Sequence, residues 1–187
     1  MKLLLLVLAL FGISLWGPLN RRHARHYWKT AWDRKVPLIP LFVIPYISLF
    51  PFVIFAFVVL FFTPYAISFY LSMTIASFSA ALFWYLFPTG FRHPFHVGDS
   101  RLRHILRTIY HHEGFANAFP SSHVYLSVVS GYFLAIAFPP LALLVWAIAL
   151  CIAVSTVFVR QHELVDILGG LLWSSLSIAL AFYLLAG

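Results

Sequence analysis

The sequence predicts an all-α polytopic membrane protein: a bundle of about six transmembrane helices with a short interfacial helix in the loop before the fourth. Three observations lead there. The 187 residues are 63% hydrophobic and only 9% charged, with a mean hydropathy of +0.95, more apolar than a soluble domain of this length has core to hide. Apolar runs near membrane-spanning length recur along the whole chain. Proline, glycine and charged residues gather between those runs. The connections are too short for a separate soluble domain, so residues 1–187 form one membrane domain. Residues 1–35 supply a first helix and a basic interfacial segment, and 36–187 supply the core.

The first span is expected near 3–16. No small-x-small cleavage site precedes Gly17-Pro18, so the run reads as a retained, slightly short helix rather than a signal peptide. Residues 18–38 carry Arg21, Arg22, Arg25, Lys29, Arg34 and Lys35 among Tyr27, Trp28 and Trp32. Basic and aromatic residues mixed in this way suit a helix lying in the headgroup layer, or else a solvated linker. The second span is expected near 39–62, with a kink at Pro51 and less disturbance from Pro45 in its first turns. The third is expected near 66–87, reached through a tight hairpin at Pro64.

Residues 88–121 make the largest loop. Within it Leu102, Ile105, Leu106 and Ile109 recur at helical spacing, with Arg101, Arg103, His104 and Arg107 on the other faces. A short amphipathic helix follows, with Asp99 or Ser100 as its N-cap. Spans near 122–138, 141–159 and 164–186 complete the bundle, the first two joined by Pro139-Pro140. Cys151, the only cysteine, cannot form an intramolecular disulfide and is expected to be an inert core residue. Counting spans places every charged side chain except Lys2 on one membrane face or at its rim. A midplane without charge excludes an ion or proton pathway, which needs ionisable groups within the bilayer.

Two short patterns stand at the mouths of spans: Pro120-Ser121-Ser122-His123 before the fourth and His162-Glu163-Leu164-Val165-Asp166 before the sixth. His162 and Asp166, at i and i+4, share a helix face. The carboxylate can then fix the tautomer and leave the other ring nitrogen as nucleophile or base. A serine N-cap beside open first-turn N–H groups makes an anion site, and His123 on that turn can deliver a proton. At the exit of span three, Phe87-Pro88-Thr89-Gly90-Phe91-Arg92-His93-Pro94 presents Arg92, whose planar fork suits phosphate oxygens. Each piece alone also has a plain reading: a polar pair at a helix start, a capped helix with an interfacial histidine, an arginine among headgroups.

Together they resemble the type 2 phosphatidic acid phosphatase superfamily. Its pattern is Lys-x6-Arg-Pro, then Pro-Ser-Gly-His, then Ser-Arg-x5-His-x3-Asp, on three loops facing one side of a six-helix bundle. Here the second is Pro-Ser-Ser-His at 120–123. The third is Ser155-Thr156, five residues, His162 and Asp166, followed by Gly169-Gly170. The resemblance runs from about Asp33 to about Gly170. It implies that His162 attacks phosphorus to give a phosphohistidine, Asp166 orients it, and His123 protonates the departing oxygen. Arg92, His93, Ser121, Ser122 and Arg160 would bind the phosphate, with no metal or other cofactor. The chain departs from the pattern in its cations. Tyr85 and Leu86 stand where the lysine would be, Arg92-His93-Pro94 replaces Arg-Pro, and Thr156 replaces the arginine, with Arg160 as the nearest substitute. Those losses look like the branch with inositol phosphorylceramide and sphingomyelin synthases, so headgroup transfer stands beside hydrolysis.

The expected partners are a lipid phosphate substrate, such as phosphatidate, phosphatidylglycerol phosphate or polyprenyl pyrophosphate, and the surrounding membrane lipids, with no nucleic acid. His96, His104, His111 and His112 raise a rival from another class, a metal- or haem-binding membrane protein. They cluster in the loop rather than across helices, and no carboxylate or cysteine set completes a zinc pattern. Positive-inside bias assigns the basic face to the cytoplasm; the resemblance implies a periplasmic or luminal face, and that is the expectation adopted here.

Overall fold

The computed structural model describes residues 1–91, 100–112 and 116–187. It is an all-α bundle. Among the described residues, five apolar segments are long enough to cross a bilayer: Lys2–Asn20, Pro40–Leu60, Ala66–Leu86, Pro139–Phe158 and Leu164–Ala186. A sixth apolar helix, Ser122–Ala137, is shorter.

Proline chemistry sets the breaks in the first two spans. Helix α1 (Lys2–Ser14) turns at Leu15 into α2 (Trp16–Asn20), where Pro18 has no N–H to offer the carbonyl of Ser14. The first span therefore runs on to Asn20, past the expected end at 16. In the second, a 3-10 turn (Pro40–Phe42) leads into α3 (Val43–Ile47), which breaks at Ser48 before α4 (Leu49–Leu60). The break lies in the turn before Pro51, as expected, because its ring meets the carbonyl four residues back. Helix α5 (Ala66–Leu86) follows the Pro64 hairpin.

The basic segment is not the helix that one sequence reading expected. After Asn20 it is a largely exposed strap. A two-residue strand β1 (His26–Tyr27) pairs in parallel with β2 (Thr89–Gly90), and the Arg25 and His26 N–H groups donate to the Pro88 carbonyl. A 3-10 turn (Asp33–Lys35) follows, and the Ile39 N–H donates to the carbonyl of Phe158 at 3.0 Å. Trp28 packs edge-on against Phe119, ring centroids 4.9 Å apart. These anchors are all distant in sequence, so local pattern could not show them.

Helix α6 (Arg101–His112) is the amphipathic helix expected in the large loop, and Ser100 accepts the Arg103 N–H on its hydroxyl as an N-cap does. Leu106 is fully buried beside Val43, Tyr46 and Val159, with Leu102 and Ile109 packed against that cluster. Ile105 faces outward instead, 40% exposed. The buried stripe is thus narrower than the four-residue pattern.

Helix α7 (Ser122–Ala137) is the axis of the bundle, buried without interruption from Ser122 to Gly131. It packs against α4, α5, α8 (Ala142–Phe158) and α9 (Leu164–Ala186). Small residues permit close approach. A Cβ on Gly131 would stand 2.9 Å from that of Ala149, and one on Gly170 would stand 2.5 Å from that of Val124. Lipid is as apolar as leucine, so polar contacts help fix the helices. Trp173 on α9 donates to Ser79 on α5 at 2.8 Å, and the Tyr70 hydroxyl donates to the Phe57 carbonyl at 2.6 Å. Cys151 lies on the outer face of α8, exposed, which corrects its expected place in the core. The helix is apolar all round, so its pattern does not distinguish a lipid-facing side from a core side.

Candidate active site

The carboxyl-terminal end of α8 and the start of α9 are joined by a turn that carries His162. The Thr156 carbonyl accepts two N–H groups there, from Gln161 at 2.9 Å and His162 at 3.2 Å. Arg160 reverses the chain with φ 57°, a left-handed conformation uncommon for a residue with a side chain. Helix α9 then opens with a capping box between Glu163 and Asp166.

His162 and Asp166 meet as their spacing implies. Nδ1 of His162 lies 3.3 Å from Oδ2 of Asp166, both side chains buried. An ionised carboxylate only accepts, so Nδ1 is the donor of this pair when Asp166 is ionised. The same Oδ2 accepts the Glu163 N–H at 2.9 Å, so one oxygen fixes both the ring and the backbone beside it.

His123 stands on the first turn of α7. The Ser121 N–H donates to the Asp166 carbonyl at 3.2 Å, and Gly169 and Gly170 let α9 lie against Phe119, Ser121 and Val124. The ring centroids of His123 and His162 are consequently 6.1 Å apart, at 62°. Both histidines line one cavity, with Trp16, Asn20, Tyr46, Phe91, Asn117, Ser122 and Gln161. Tyr46 stacks on His123 at 4.2 Å and 20°, and Phe91 tilts against His162 at 5.8 Å. Neither ring nitrogen of His123 has a hydrogen-bond partner among the described residues.

Ser121 is the N-cap of α7, but its hydroxyl makes no capping bond. It is buried and unpartnered among the described residues. The first intrahelical bond runs from the Tyr125 N–H to the Ser121 carbonyl. The earlier N–H groups, from Ser122 on, belong to the open first turn of a helix, which favours an anion. Ser122 lines the cavity. Arg160 donates Nη1 to the Asp33 carbonyl at 2.6 Å. The Thr156 hydroxyl donates back into its own helix, to Ala153. Arg92, His93 and His96 lie outside the described residues. Among the described residues, no three His, Cys, Asp or Glu side chains converge as metal ligands would.

Sequence reasoning missed Asp33, Tyr46, Asn20, Asn117 and Gln161. For Asp33 a signal existed. The chain has five acidic residues, and Asp33 stands three after Thr30, the spacing at which a side chain caps a turn. It is 1% exposed. Its Oδ1 accepts the Leu164 N–H at 2.7 Å, while Oδ2 accepts both the N–H and the hydroxyl of Thr30 at 2.6 Å. Burial pushes its carboxyl up, and these donors more than reverse that, leaving it below its ordinary value. Glu163 beside it is pushed up to about 7, by burial first and then by the charge of Asp33, against the opposing pull of Lys29. Tyr46 and Asn20 sit in apolar or loop-like sequence that gives no such clue.

The family model of the PAP2 superfamily matches residues 83–186, more than half of the chain. No curated protein and no solved structure matches it.

Proposed function

Because the chain belongs to the PAP2 superfamily of phosphatases and phosphotransferases, we propose that it is an integral-membrane lipid phosphatase acting on a phosphomonoester or pyrophosphate through a phosphohistidine. The observation that carries this reading is the buried pair His123 and His162 on one cavity, with Asp166 on the inner nitrogen of His162. In the first step the Nε2 lone pair of His162 attacks phosphorus. The P–O bond to the lipid breaks, and the departing oxygen takes a proton from His123. In the second step His123 accepts a proton from water, the water oxygen bonds to phosphorus, and the P–N bond breaks. Phosphoryl transfer asks the protein mainly for positioning and for stabilisation of charge. The open first turn of α7, Ser121, Ser122, Arg92 and His93 are assigned the second task, and no metal enters the scheme.

An apolar groove supports a lipid substrate. It measures about 520 Å³ and runs between α1 and α4, lined by Leu6, Leu10, Ile13, Leu49, Val53 and Leu126 among others. Three segments serve both spaces: Trp16, Tyr46 and His123 line the histidine cavity, and Ile13, Leu49 and Leu126, each three residues away, line the groove. A hydrocarbon tail in the groove would leave its phosphate at the histidines.

We further assign the site to the outward (periplasmic or luminal) face. Several basic residues that favour the cytoplasm by count have structural partners instead. Arg22 donates to the Tyr85 carbonyl at 2.7 Å, Arg160 to Asp33, and Lys35 lies over the Trp32 ring. A Ser100→Cys variant in a Cys151→Ser background should react with an impermeant maleimide supplied on the periplasmic or luminal side of sealed membranes and not with one supplied on the cytoplasmic side. The reverse pattern would assign the face to the cytoplasm.

The function is tested by supplying purified protein with lipid phosphates in detergent and EDTA. Free phosphate should be released, and His162→Ala should abolish it. A headgroup moved to a second lipid without free phosphate would replace hydrolysis by transfer. Activity or stability lost in EDTA, with metal copurifying in stoichiometric amount, would support the metal-protein rival.

A further inference from the structure

The turn that carries His162 lies between two helices, with Arg160 in the left-handed region. Within the turn the Thr156 carbonyl accepts the Gln161 and His162 N–H groups, and the Asp166 carboxylate meets residues 162 and 163. What brackets the turn is Asp33, 127 to 131 residues away in sequence. The Asp33 carbonyl accepts Arg160 Nη1, two residues before His162, and its carboxylate accepts the Leu164 N–H, two residues after. The first two orphan N–H groups at the start of α9 are thus divided between two carboxylates. Asp166 takes that of Glu163, and Asp33 takes that of Leu164. The negative charge of Asp33 is also placed where a helix N-terminus favours it.

Asp33 is itself held from the other side. Its Oδ2 accepts both donors of Thr30, and its own N–H donates to the Thr30 hydroxyl at 3.3 Å. The strap around it is fixed by β1–β2 pairing upstream and by the Ile39 bond to Phe158 downstream. A rigid support of this kind is what a nucleophile on an irregular turn requires, because displacement of about 1 Å can cost on the order of a hundredfold in rate. Residue 33 also lies well outside the part of the chain that the family model matches.

We propose that Asp33 is a positioning residue for the reaction: from the strap between the first two spans it sets the place of the His162 turn, and so the alignment of the nucleophile with His123. This rests on the phosphohistidine reading above.

The test compares Asp33→Ala, Asp33→Asn and, as a control, Trp32→Ala, an exposed neighbour, in the purified full-length protein with a long-chain lipid phosphate. Asp33→Ala should lower kcat by about a hundredfold with little change in KM, while Trp32→Ala leaves kcat in place. Asp33→Asn keeps an acceptor for Leu164 and should recover part of the loss; it also serves if Asp33→Ala fails to fold. The decisive readout is a cycle with Asp166→Asn. If Asp33 acts through the His162 turn, Asp33→Asn should cost much less in that background than alone. Equal cost in both backgrounds, or loss of kcat only in proportion to unfolded protein, would overturn the positioning role. Wild type that releases no phosphate, or His162→Ala that releases it as wild type does, would instead overturn the underlying reading, and the role of Asp33 with it.

Discussion

Tyr46 lies flat on His123, ring centroids 4.2 Å apart and planes within 20°. The two come from different spans, α3 and α7, and Tyr46 precedes the family match. The stack fixes the plane of the His123 imidazole, which neither of its ring nitrogens does through a hydrogen bond among the described residues. Replacing the ring by an aliphatic side chain removes a contact worth about 1 kcal/mol. Tyr46→Leu should therefore lower kcat by about fivefold, and Tyr46→Phe should keep most of it. Steady-state kinetics of the two variants checks this.

Glu163 gives the protein a pH signature. Its carboxyl is pushed up to about 7 from an ordinary 4.5, chiefly by burial and by Asp33, with Asp166 adding to the rise and Lys29 opposing it. The native state then binds this proton more tightly than the unfolded chain. Stability should fall as pH rises from about 4.5 to about 7 and level off above. The lowered carboxyl of Asp33 acts the opposite way, its contribution being lost only as pH falls below its ordinary 3.8. Thermal unfolding in detergent should show the decline, and Glu163→Gln should flatten it. An unchanged slope in that variant would assign the decline to another group.

Gly170 sets how close α9 comes to the first turn of α7. A Cβ there would stand 2.5 Å from Val124 Cβ and 3.0 Å from the Ser121 carbonyl oxygen, so Gly170→Ala must push the two helices apart. Overpacking of this kind costs about 1–3 kcal/mol. Both the unfolding midpoint and kcat should drop, since the same displacement separates His162 from His123.

The groove between α1 and α4 bears on substrate choice. Val53→Trp fills part of it without touching the histidine cavity. Activity on a long-chain lipid phosphate should fall by roughly tenfold, the scale of losing about two buried methylenes at about 0.8 kcal/mol each, while a short water-soluble phosphate ester is hydrolysed as before. Equal loss on both substrates would remove the groove from the account.

The spans and the meeting of His162 with Asp166 could be read from the sequence because their signals are local. Hydropathy marks a helix within its own residues, Pro51 marks the break at Ser48, and His162 and Asp166 meet by i,i+4 geometry alone. The strap could not be read. A mixture of basic and aromatic residues fits a headgroup helix as well as it fits β1, and a two-residue strand has no meaning until Thr89–Gly90 is beside it. Cys151 and Ile105 show the same limit on helices: the pattern gives the period, and only the neighbours decide which face is covered. Tyr46 shows it at the site, where an aromatic in an apolar span carries no mark of the histidine beneath it.

Trapping a phosphohistidine shows whether phosphate passes through His162. Protein mixed with a lipid carrying a radiolabelled terminal phosphate, quenched in alkali and digested, should give one labelled peptide containing His162. The label should be stable to base and lost in acid, as a phosphoramidate is, and it should be absent from His162→Ala. A label on another residue, or turnover by His162→Ala at the wild-type rate, would contradict the account.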